Sequence, residues 1–257
     1  MDTHGSSTGP SVRAGKAVFI EWPLVKDYEK AIALTEKKRL DNTIIGLQGH
    51  VPPIVLELKE ILKSRRIGRV LSSDVRAYGN LGTRGKVSEG LSYFADREVG
   101  GKHITIAYGH TIDYVHELAK WKVGIADGAT LSFAFRNGQQ FNGTPGFVWT
   151  IHSESGEIMV TANGAYVHSD SYKDPIEIKL HDHSTDEIID VGWDWEDWQK
   201  ELPYRSRIVA ELYERFGRWW SERKARSDLP DDQEWPRLHD AVIRMEEFDE
   251  LFKQYDA

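Results

Sequence analysis

The side chains able to move a proton gather in one stretch. His103, His110 and Asp113 lie in a segment whose Ile104, Ala107, Tyr108, Ile112, Val115 and Leu118 recur at helical spacing. At about 100° per residue, His103, Ile106, His110, Asp113 and Glu117 fall within an arc of about 80°. One side of such a helix is apolar and another carries imidazole and carboxylate. A histidine titrating near neutrality, with a carboxylate one turn away, has the makings of a general acid/base pair, His110 as the acid/base and Asp113 as its orienting partner. Periodicity alone favours a solvated helix face.

Other patterns argue by exclusion. His116 lies about 120° around the helix from His110, so His110, Asp113 and His116 cannot converge on a metal. His181-Asp182-His183 sits in a polar stretch between two strand-like runs and reads as a surface turn, so no metal site is expected. No G-x-G-x-x-G, P-loop or H-E-x-x-H occurs, no G-x-S-x-G stands as an elbow between a strand and a helix, and Gly79, Gly82 and Gly85 have the wrong spacing for a dinucleotide turn. These absences predict no cofactor. There are no cysteines, which removes disulfides, thiolate nucleophiles and iron–sulfur clusters. Trp22, at a strand end, either stacks on a substrate or packs in the core. His50 either faces the same cleft or caps a loop, and Tyr93 and Phe94 are further cleft-lining candidates.

The elements that must position these groups are legible from patterning. The chain has 257 residues, 40% of them apolar, and a formal net charge of −8, which disfavours nucleic acid and anionic membrane as partners. No run approaches the ~20 apolar residues of a membrane span, and a cytoplasmic protein with a small-molecule ligand is expected. Residues Met1 to Lys16, rich in Gly, Ser and Thr, read as a flexible tail. Ala17–Glu21 as strand, Lys26–Lys38 as helix and Thr43–Leu47 as strand make one βαβ unit, residues 17–50. Pro52–Ser64 is a second helix. Val70–Tyr78, Ala129–Arg136, Phe147–His152, Glu157–Ala162, Ile176–His181 and Glu187–Val191 read as strands of one mainly antiparallel sheet. The chemistry-bearing helix, about His103 to Lys120, falls between the first two, and helices over Tyr204–Lys224 and Pro236–Tyr255 close the chain. The fold class is therefore α+β, an open and mostly antiparallel sheet with helices on one face in residues 51–257, preceded by the βαβ unit. Trp193, Trp195, Trp198, Trp219 and Trp220 are assigned to packing or to a partner surface.

Several strings carry a family resemblance. Val18-Phe-Ile-Glu-Trp-Pro-Leu24, Thr43-Ile-Ile-Gly-Leu-Gln-Gly-His50, Ile67-Gly-Arg-Val-Leu-Ser72, Gly100-Gly101 with Gly109-His110-x-x-Asp113, and Gly143-Thr-Pro-Gly-Phe-Val-Trp149 resemble the glucose-fructose oxidoreductase and inositol dehydrogenase family. The Glu-Trp-Pro form is similar to the branch of the fungal galactose-regulon repressor. The resemblance implies the C-terminal portion of that family, with most of the nucleotide-binding domain absent. It also implies that His110 is the family's catalytic histidine, that Trp22 replaces the family's lysine and that Ile106 replaces its aspartate. A homodimer through the open sheet face is a further implication.

From these readings the expected function is a nucleotide-independent enzyme of isomerase, lyase or cyclase type. His110 and Asp113 would carry the proton chemistry, while Trp22, His50, Tyr93, Phe94 and His103 bind substrate. The alternatives are a non-catalytic regulatory protein of the galactose-repressor type and a residual NAD(P)-dependent oxidoreductase.

Overall fold

A computed structural model describes residues 2–35, 42–79, 89–96, 102–119, 125–169, 171–222, 229–230 and 233–256. The chain divides into two compact units, residues 1–51, 88–110 and 208–257 in one and 52–87 with 111–207 in the other.

The first unit is built on the βαβ motif. β1 (Val18–Ile20) and β2 (Thr43–Ile45) pair in parallel, with Val18 opposite Thr43 and Ile20 opposite Ile45. The intervening helix α2 (Tyr28–Thr35) starts where the Asp27 carboxylate accepts the Lys30 N–H at 2.9 Å, a side-chain cap on a free helical amide. Two strands leave open edges, and the chain covers one itself. Trp235 Nε1 donates to the Thr43 carbonyl at 3.0 Å, and Ile45 N–H donates to the Pro236 carbonyl at 2.9 Å. The helix that follows, Leu238–Asp256, buries Leu238, Ala241, Met245 and Phe248 at helical spacing against Ile20, Leu24 and Ile45.

The segment expected as a tail also belongs to this unit. Helix α1 spans Asp2–Arg13, and its Val12 is 2% exposed within the same core. Its Gly- and Ser-rich composition gives little helix propensity, so packing decides its conformation rather than local preference.

The second unit is a six-stranded sheet in the order β4-β3-β5-β6-β7-β8, formed by β3 (Val70–Gly79), β4 (Ile125–Asn137), β5 (Phe147–Ser153), β6 (Gly156–Ala162), β7 (Glu177–Asp182) and β8 (Glu187–Val191). Only β3 and β4 run parallel. Alternation sets the two faces. Phe147, Trp149 and Ile151 of β5, Ile158 and Val160 of β6, and Ile178 and Leu180 of β7 are all buried, and the register places Ile158 against Ile151 and Leu180. Tyr114 of α4 (Gly109–Ala119) covers this face, with ring contacts to Phe147 at 6.0 Å and Trp149 at 6.1 Å. The amphipathic helix α3 (Pro53–Ser64) buries Ile54, Val55, Leu58 and Leu62. The other face presents Asp74, Arg76, His152, Glu157, Met159, Lys179 and His181. The architecture is thus a mixed, mostly antiparallel sheet with helices on one face, preceded by a βαβ unit. Among the described residues, no helix is long and apolar enough to cross a membrane.

This register makes a sharp prediction for adjacent residues. Ile158 is fully buried and Met159 is 40% exposed. Ile158→Ala should cost about 2–5 kcal/mol, and Met159→Ala no more than about 0.5 kcal/mol. Urea unfolding of both variants reads the difference, and equal losses would contradict the face assignment.

Candidate functional site

The chemistry-bearing helix is not uniform. Ile104–Tyr108 form a π-helical turn, in which Gly109 N–H reaches back five residues to the Ile104 carbonyl, and α4 follows directly. A wider turn rotates less per residue, so the arc reckoned for an α-helix does not carry from His103 through to His110. His110 and Asp113 both lie in α4 proper, three residues apart, and are 9% and 2% exposed. They are not on a solvated face. Glu117 is a structural ion-pair partner, its carboxylate accepting from Lys59 Nζ at 2.9 Å.

Trp22 resolves to the core. The indole is 4% exposed and donates from Nε1 to the Thr105 carbonyl at 2.7 Å. Its ring lies 6.2 Å from Phe248. Gly109, which opens α4, permits this approach, because a Cβ there would sit 2.8 Å from Trp22 Nε1 and 3.2 Å from Phe248. Stacking on a substrate is therefore corrected to packing, and the indole instead fixes the turn that precedes His110. His50 is likewise buried, within the short 3₁₀ turn Gln48–His50.

Three of the anticipated residues do come together. Tyr93 and Phe94 meet edge to face at 4.7 Å, and Phe94 lies 6.1 Å from the His103 ring. Burial pushes the His103 pKa below its ordinary value, because desolvation disfavours the charged imidazolium. The tryptophans separate into two groups. Trp193 and Trp195 pack with Tyr172 in the sheet-bearing unit, whereas Trp219 and Trp220 pack with Phe216 in the other.

Glu21 escaped the sequence reading. It follows the last residue of β1, at the C-terminal end of the parallel pair, where parallel sheets receive ligands. A Cβ on Gly46 would lie 2.3 Å from Glu21 Oε2, so the glycine makes room for this carboxylate. Although the side chain retains open surface, desolvation raises its pKa, offset in part by the Trp22 backbone N–H. The signal available was Glu21 of Glu-Trp-Pro, passed over in favour of its neighbour.

Compared with known proteins, residues 53–123 match the family model described as Gal80p, C-terminal domain. The dehydrogenase aclE of Aspergillus oryzae is 32% identical over 105 residues, which is 40% of this chain and 28% of that protein. The chain thus aligns with little more than a quarter of this relative. The structure of a super-repressor mutant of Gal80p from Saccharomyces cerevisiae superposes with a TM-score of 0.76 at 16% identity, covering 98% of this chain and 75% of that one. A levoglucosan dehydrogenase in complex with NADH and levoglucosan gives 0.68 at 16% identity, covering 95% and 72%.

Two expectations are corrected by these likenesses. The similarity is not confined to a C-terminal portion. The superposition spans 98% of this chain and 75% of the Gal80p chain, more than a C-terminal portion of that fold. At 16% identity the fold outlasts the short motifs by which a resemblance is read. The cofactor-free isomerase, lyase or cyclase reading is overturned as well, because the similar proteins include dehydrogenases, one of them holding NADH.

Because Trp22 is a core residue, an amine there is destructive. Trp22→Lys should lower stability by about 3–5 kcal/mol, measured by chemical denaturation at neutral pH. Retained stability would show that the side chain opens onto a cleft.

Proposed function

We propose that this chain is an NAD(P)-linked oxidoreductase acting on a small organic substrate, with His110 as the residue that takes or gives the substrate's proton. The observation that carries this reading is the placement of His110: a buried imidazole in the first turn of α4, directly after a π-helical turn whose Thr105 carbonyl is held by Trp22. π-helical turns recur at functional sites because they break the regular spacing of side chains. The dehydrogenases among similar proteins support the same reaction class.

The nicotinamide, when bound, exchanges a hydride with the substrate carbon. The described residues fit its reactive end and offer no glycine-rich turn for the pyrophosphate. At the C-terminal end of β1 and β2, the Glu21 carboxylate over Gly46 supplies an acceptor for a carboxamide or ribose donor. His110 holds the proton that the substrate hydroxyl releases or receives. Asp113, one turn along α4, serves as a positioning residue for that imidazole. Tyr93, Phe94 and His103 form an aromatic wall suited to the apolar edge of a substrate. We place the protein in the cytoplasm, where a nicotinamide-nucleotide pool would be within its reach.

One observation favours a second reading. Where the family resemblance implies a lysine, this chain has a buried, hydrogen-bonded indole. A site that keeps the imidazole and loses the amine suits a non-catalytic regulatory protein of the galactose-repressor type.

Turnover separates the two readings. With NAD⁺ or NADP⁺ and a panel of sugars and polyols, His110→Ala should lower the rate by about 10²–10⁴-fold while leaving the circular dichroism unchanged. An undiminished rate would remove His110 from the chemistry. Nucleotide binding with no turnover of any substrate favours the regulator.

A further inference from the structure

The open face of the sheet carries a cluster that the proton chemistry leaves unused. A His-x-His pair on a strand end projects both imidazoles to one side, because side chains alternate across the sheet. His181 and His183 form such a pair at the end of β7 and in the turn to β8. The β6–β7 register sets Glu157 directly opposite His181. One ligand atom from each of Glu157, His181 and His183 lies within 4.8 Å of the other two, a property of no other set of three such side chains found among the described residues.

We propose that Glu157, His181 and His183 form a binding site for a divalent transition-metal ion of the zinc class. Two imidazoles and one carboxylate suit zinc, and they do not suit magnesium or calcium, which take oxygen ligands throughout. Bonds of about 2.0–2.2 Å put tetrahedral ligand atoms about 3.3–3.6 Å apart, so closing onto an ion requires side-chain movements of about 1 Å. The fourth position is left to water.

The surroundings are arranged as a metal site requires. A ligating histidine commonly gives its second ring nitrogen to a carboxylate, which fixes the ring and its tautomer. Here His181 Nε2 lies 2.9 Å from Asp186 Oδ1, and its Nδ1 faces Glu157 Oε1 at 3.7 Å. Glu157 is held in the same way. Its Oε2 is 3.2 Å from His152 Nδ1, leaving Oε1 for the ion, and His152 Nε2 is itself 3.6 Å from Asp74 Oδ2. The turn carrying His183 is pinned at both ends. His183 N–H donates to the Ser155 carbonyl at 3.0 Å, and Asp182 Oδ1 accepts the Ser184 N–H at 2.9 Å and its hydroxyl at 2.6 Å. The two imidazoles meet edge to face at 4.9 Å, and His183 is exposed, which gives an ion its entry. Sequence alone made this segment a surface turn, because the third ligand is 24 residues upstream and only strand register brings it in.

The test uses the full-length, tag-free protein and Zn²⁺ itself. Isothermal titration should give one equivalent bound at micromolar affinity or tighter, and Co²⁺ should give the visible absorption of a tetrahedral site. The double variant His181→Asn/His183→Asn should lose this binding while its metal-free thermal unfolding stays that of the parent. Asp186→Asn, which touches no ion, should weaken affinity by about 10–100-fold by loosening His181, and His116→Asn should leave it unchanged. No stoichiometric binding, or equal binding by the double variant, overturns the assignment. Neither result bears on His110 or on nucleotide use.

Discussion

A single hydrogen bond, 2.7 Å from the Trp22 indole to the carbonyl of Thr105, ties the end of β1 to the turn that launches α4. Both partners are buried, so the bond replaces water that neither group can otherwise reach, and breaking it would strand a carbonyl in the core. Around it the first unit is assembled. Gly109 leaves room for the indole, Phe248 packs against it, and the helix carrying Phe248 is anchored through Trp235 and Pro236 to β2. The imidazole of His110 follows immediately on this arrangement, and its position is a consequence of it.

That dependence limits what position 22 can hold. An amine at position 22 would have to sit where an indole now bonds and packs, at high cost to a buried charge. Position 22 therefore serves architecture in this chain, and His110 stands directly after the turn that the indole holds.

Much of this was legible in the sequence. The alternation of β3 from Asp74 to Gly79 and the apolar alternation of Phe147, Trp149 and Ile151 announce strands whatever the context, since one face must be buried. The apolar spacing of α3 and of Leu238, Ala241, Met245 and Phe248 does the same for helices. What escaped was information held in pairing rather than in local pattern. The π-helical turn at Ile104–Tyr108 has no compositional mark, and it altered the phase on which the arc of His103 and His110 was reckoned. Helix α1 is stabilised by burial of Val12 against distant residues, which a Gly- and Ser-rich string does not reveal. Glu157 meets His181 only through strand register, and Glu21 meets Gly46 only through the crossover of β1 and β2.

The proposed function stands on binding of a nicotinamide nucleotide. Nine tryptophans make the measurement direct: titration of the intact protein with NADH and NADPH, following quenching of tryptophan emission and energy transfer to the reduced nicotinamide. The account predicts saturable binding at micromolar concentration, weakened when Glu21 is changed to Gln. No saturation up to millimolar nucleotide would contradict it, since neither an oxidoreductase nor a nucleotide-sensing regulator could then operate through this edge of the fold.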